Sequence, residues 1–190
     1  MSSASASSIR DRAALLLAAA VAVNSIITLV GWSAGWPAFV RPSPSFIPMA
    51  PTTALAFLAL SFALATRGLP ARWIVLRISG TVATWIVATM AIVNVITPSI
   101  LDRALGGASG QFGPVPLGVM STVTAAALLL LAPSIAAAGA RRSYAGPLAT
   151  VAAIIGGTVA LGYAYGAPLL YGSSTIPVSL PTALSLLLLG

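Results

Sequence analysis

Long uncharged apolar runs follow one another from Ala13 to the last residue, and the charges fall almost entirely between them. A spanning helix takes about 20 predominantly apolar residues, and runs at about 13–32, 49–65, 73–96, 117–140, 146–169 and 176–190 have this character. Membrane strands do not fit, since they need only about 9 to 11 residues and alternate apolar with polar positions. Charged residues make up 6% of the 190 residues, against about 25% in a soluble domain, so an ordinary wet surface cannot be built. The sequence predicts an all-α polytopic membrane bundle of six transmembrane helices, preceded by a Ser/Ala-rich disordered cytoplasmic tail over 1–12.

The first run is longer than the apolar part of a signal peptide, about 7 to 15 residues, and reads as a retained helix. The sixth run reaches Gly190 after only 15 positions. It is read as an incomplete span, and the chain as the front part of a longer protein.

Orientation follows from arginine placement, because cytoplasmic loops carry the positive excess. Arg10 and Arg12, then Arg67, Arg72 and Arg77, then Arg141 and Arg142 lie in the tail and the second and fourth connections. Only Arg41 and Arg103 lie in the first, third and fifth. Both termini are therefore expected in the cytoplasm, with the protein in a bacterial inner membrane. The formal charge of +7 is accounted for by this topology, so nucleic acid is not an expected partner. Trp32, Trp36, Phe39, Phe46, Phe112 and Tyr171 mark the outer ends, where aromatic rings anchor helices at the lipid–water boundary.

The sequence contains no His, Cys, Lys or Glu, and its acids are Asp11 and Asp102. General acid–base catalysis draws on His, Asp, Glu, Lys, Tyr or Cys, and metal sites on His, Cys and carboxylates. An enzyme is not expected, nor is a cofactor or metal.

An internal repeat organises the runs. VNSIIT at Val23–Thr28 recurs as VNVIT at Val93–Thr97. PTTALAFL at Pro51–Leu58 recurs as TVTAAALL at Thr122–Leu129 and again as LPTALSLL at Leu180–Leu187. The expected architecture is three helical hairpins side by side, each an outward helix, an outer loop and an inward helix opening at a Thr-Ala pair. Asn24, Asn94, Thr53, Thr124 and Thr182 then share one depth near the outer ends. Unpaired N–H groups at helix N-termini can hold a polar or anionic ligand. The bland alternative is favoured: threonines at helix starts as caps, and asparagines bonding across helices.

Tyr163 and Tyr165, in the GxxxG stretch Gly162–Gly166, are either pocket-lining or boundary anchors, and the glycines suit close helix packing. Pro133 is expected to bend the fourth helix, and Arg77 to snorkel to the inner boundary. No ionisable residue lies deep in a run, which counts against ion-coupled transport.

MAPTTALAFLALSFALATRG (Met49–Gly68) and GYAYGAPLLYGSSTIPVSLPTALSLLLLG (Gly162–Gly190) resemble the multi-spanning N-terminal input regions of bacterial sensor histidine kinases and diguanylate cyclases. The fourth run departs from that pattern, since MSTVTAAALLLL lacks the proline before its Thr-Ala pair. The resemblance implies a membrane-embedded sensory input domain, responding to an unknown small ligand or membrane stimulus, working as a homodimer and passing a shift of its last helix to a cytoplasmic output module. The competing expectation is a small polytopic permease or channel subunit whose hairpins surround a passage.

Overall fold

The computed structural model describes residues 3–41, 43, 45–67, 69–70, 73–93, 104, 111–112, 115–137, 143–169 and 175–190. Its helices are α1 (Ser3–Ala34), α2 (Pro37–Val40), α3 (Pro51–Ala65), α4 (Ile74–Val93), α5 (Thr122–Ala137), α6 (Ala145–Ala164) and α7 (Leu180–Leu189). A two-residue antiparallel ladder pairs β1 (Gln111–Phe112) with β2 (Val115–Pro116) in the connection between α4 and α5. Helix α1 begins at Ser3, so the segment expected as a disordered tail is helical from there on. Helix α5 continues through Pro133 to Ala137.

Three helices are long and apolar enough to cross a membrane, within α1 (Asp11–Ala34), α4 (Ile74–Ile92) and α6 (Ala145–Ala164). The expectation of six full helical spans is corrected here. Helices α3, α5 and α7 have 15, 16 and 10 residues, and at about 1.5 Å per residue none reaches the roughly 30 Å of a bilayer's hydrocarbon core. The apolar runs there are partly extended chain. A residue before proline is steered away from the α region, and Ala50, before Pro51, sits at φ −66°, ψ 146°. Ser179 has a similar backbone, φ −71°, ψ 153°. Before α5 the chain turns at Gly118, whose φ of 73° lies in the left-handed region. Hydropathy does not distinguish such buried extended chain from helix, which is why the runs read as longer helices.

The hairpin order survives this correction. Helix α1 packs on α3, α4 on α5 and α6 on α7; α3 also meets α4, α5 meets α6, and α7 meets α1, closing a ring. Helices α3, α5 and α7 touch one another as well, so the short helices are inside and the long ones outside. Burial agrees: only 22%, 17% and 17% of the apolar windows of α1, α4 and α6 are covered by protein.

The alignment of the repeat is fixed by the helix starts. The N–H groups of Ala54, Ala125 and Ala183 donate to the carbonyls of Ala50, Ser121 and Ser179 at 3.0, 2.9 and 2.9 Å, so these three pairs are equivalent. Counting on from them, Phe57, Leu128 and Leu186 correspond, and all three are fully buried in one cluster with Leu60, Leu131 and Leu189. Where lipid tails are as apolar as leucine, helices associate by close packing of small residues. A Cβ on Gly156 of α6 would stand 2.5 Å from the Ala183 carbonyl oxygen and 2.7 Å from the Leu187 nitrogen of α7, so only glycine permits this approach.

Candidate functional site

The polar residues singled out by the repeat gather at the starts of the inner helices, and hydrogen bonds account for most of them. Thr53, Thr124 and Thr182 occupy the third position of α3, α5 and α7, each about 2% exposed. Ser121 accepts the Thr124 N–H at 3.0 Å, and the two hydroxyls lie 2.7 Å apart. Ser179 repeats the arrangement with Thr182, at 3.4 and 2.8 Å. Two orphan N–H groups of the first turn are thereby satisfied. Helix α3 has Ala50 in the capping place and no side-chain cap.

Asn24 reaches from α1 to α7, where its amide donates to the Ser185 hydroxyl at 3.0 Å and to the Pro181 carbonyl at 3.3 Å. It binds the first hairpin to the third. Ser185 also donates to the Pro181 carbonyl at 2.9 Å, and the Thr28 hydroxyl to the Asn24 carbonyl at 3.0 Å. Asn94, its expected counterpart, lies outside the described residues.

The two tyrosines part company. Tyr163 is buried, donates its hydroxyl proton to the Val178 carbonyl at 2.9 Å and meets Phe46 edge-on at 4.7 Å between ring centres. Tyr165 is 85% exposed. Trp32, read from the sequence as a boundary residue, does what Tyr163 does: its indole N–H donates to the Met49 carbonyl at 2.7 Å. Met49 and Val178 each directly precede the capping residue, Ala50 or Ser179, so these are one contact in two copies of the repeat. The Met49 N–H donates to the Val40 carbonyl at 3.2 Å. A side-chain donor on α1 and another on α6 thus supply the backbone of the extended chain leading into α3 and α7. In a membrane, non-helical backbone is tolerated only where it is buried in protein or lines a water-filled cavity.

The sequence reading missed Trp32, Ser121, Ser179 and Ser185 as members of this layer. Ser121 and Ser179 were legible in Ser-x-x-Thr at 121–124 and 179–182, since an N-cap hydroxyl accepts the N–H three residues on.

At the other end of the bundle, Arg67 after α3 pairs with Asp11 of α1 at 2.7 Å, and Arg77 of α4 donates to the Arg67 carbonyl at 2.9 Å. The start of α1, the end of α3 and the start of α4 are therefore at one end. Arg77 is half-buried, and its Nε is buried without a hydrogen-bond partner. Asp102 and Arg103 lie outside the described residues.

Between α3 and α4 runs an open groove of about 230 Å³ with almost wholly apolar walls. Comparison of the chain with protein-family models, curated proteins and solved structures returns no match.

Proposed function

We propose that this chain is a membrane-embedded sensory input domain of a bacterial signal-transduction protein, resident in the inner membrane with its N-terminus cytoplasmic. The observation that carries the choice over a permease or channel is the packed centre. The three inner helices meet along Phe57, Leu60, Leu128, Leu131 and Leu186, each fully buried. A passage on that line would need these side chains withdrawn, at the cost of well-packed core contacts. The hydroxyls and amide of the helix-start layer are joined to one another and to backbone, which suits a bundle whose helices hold defined positions. In this reading α1, α4 and α6 cross the bilayer, and the extended-plus-helical inner segments return through it. A stimulus acts by favouring one arrangement of the hairpins over another, and α7 passes the change to a histidine kinase or cyclase output module.

Purified protein in sealed vesicles tests the choice. The input-domain reading expects ions and small neutral solutes to leak no faster than from protein-free vesicles, whereas selective, saturable flux would establish the permease. Joined through α7 to a cyclase reporter, the chain is expected to give an output that N24L changes and Y165F leaves alone. An output indifferent to N24L would remove the support for signalling through the α1–α7 seam.

A further inference from the structure

Charge is unbalanced at the end of the bundle where α1 starts, α3 ends and α4 starts. The chain has nine arginines against two acids, Asp11 and Asp102. Asp11 is taken by Arg67, and no acid pairs with Arg77 among the described residues. Arg77 is the fourth residue of α4, half-buried, with exposed Val75, Leu76 and Ile78 on either side of it in the chain. Its guanidinium is held on one side: Nη1 donates to the Arg67 carbonyl at 2.9 Å, whereas Nε is buried without a partner. That bond sets it beside the residue carrying a second guanidinium. The Arg67 side chain is 34% exposed and leans on an Asp11 that is 65% exposed.

From this we infer that Arg77 and Arg67 form a binding site for the phosphate of one anionic phospholipid headgroup. The inference rests on the membrane placement proposed above, and is independent of any output module. A helix that crosses from Ile74 to Ile92 has its first turn at headgroup level, where lipid phosphates are the anions at hand. A guanidinium is a planar fork matched to phosphate oxygens, and a half-buried charge attracts its counter-ion more strongly than one in water does. Two guanidinium groups against one carboxylate leave a net positive charge, which favours a headgroup without a cation of its own. The exposed apolar neighbours of Arg77 then lie along the acyl chains of the same lipid. An ion pair as exposed as Asp11 with Arg67 is weak, so an arriving phosphate takes Arg67 from Asp11 and loosens the tie between the start of α1 and the end of α3. Lipid charge thereby acts on the first hairpin.

The test is native mass spectrometry of the whole protein, released from detergent in the presence of phosphatidylglycerol or phosphatidylcholine. The protein is expected to hold one phosphatidylglycerol severalfold more tightly than phosphatidylcholine. R77Q is expected to abolish that preference, and R141Q, which removes the same charge from the turn between α5 and α6, to keep it. D11N frees Arg67 without touching Arg77 and is expected to tighten phosphatidylglycerol binding severalfold, a readout that stands even where R77Q fails to fold. Equal losses in R77Q and R141Q would reduce the effect to diffuse attraction and overturn the site, as would D11N binding no tighter than the unaltered protein. Displacement of the lipid by millimolar inorganic phosphate would assign the arginines to a free anion instead. Membrane placement is read separately: release of the protein from vesicles by alkaline carbonate would refute it, whereas protein that stays embedded yet binds both lipids alike would refute the site alone.

Discussion

Trp32 and Tyr163 each place one polar hydrogen on a carbonyl that has no water to turn to, and their removal leaves that acceptor buried. An unsatisfied buried acceptor costs about 1–3 kcal/mol, so W32F and Y163F are both expected to lower the unfolding temperature in detergent, while W36F and Y165F, at 56% and 85% exposed positions, leave it unchanged. Equal melting of all four variants would show that the two contacts do not matter. Asn24 and Ser185 are expected to be coupled by about 0.6 kcal/mol, the average for interhelical hydrogen bonds in membranes, in a double-mutant cycle of N24L and S185A. At this scale the sequence was only partly readable. The Thr-Ala repeat located the layer because the pair stands in the first turn of every inner helix. Trp32 could not be distinguished from a boundary anchor, since an indole does either job and only its distance from Met49 decides.

At the scale of elements, six helical segments in the expected order were legible because hydropathy and arginine placement survive any local change of conformation. Their ends were not. The runs at 49–65, 117–140 and 176–190 cover both the extended lead-in and the helix, and an apolar stretch of either conformation scores alike; Pro51, Gly118 and Pro177 held the information. The tightest pairing of elements makes its own prediction. G156A places a Cβ 2.5 Å from the Ala183 carbonyl oxygen, a clash with backbone that only separation of α6 and α7 relieves, and overpacking of this sort costs about 1–3 kcal/mol. G157A, whose Cβ meets the Leu187 Cδ1 at 3.6 Å, is expected to be neutral or slightly stabilising, because alanine is the better helix former. Thermal unfolding of both variants in detergent checks the contrast. Comparable destabilisation by both would mean that the α6–α7 contact tolerates a spacing the structure denies it.

For the molecule as a whole, three hairpins close into a ring around their shorter helices, with Asp11, Arg67 and Arg77 together at one end and the extended entries held by Trp32 and Tyr163 at the other. The salt bridge between Asp11 and Arg67 puts both ends of the first hairpin together, as an outward-and-return path requires. Closure of the ring was not readable from hydropathy, which orders segments along the chain but says nothing of which neighbours touch; the contact of α7 with α1 emerges only in three dimensions. The chain has no native cysteine, so single cysteines report sidedness without background. With S43C between α2 and α3 and S143C between α5 and α6, a membrane-impermeant thiol reagent applied to intact cells is predicted to label S43C, and S143C only after the membrane is opened. Labelling of both in intact cells, or of neither, would contradict the paired outward-and-return hairpins on which the account depends.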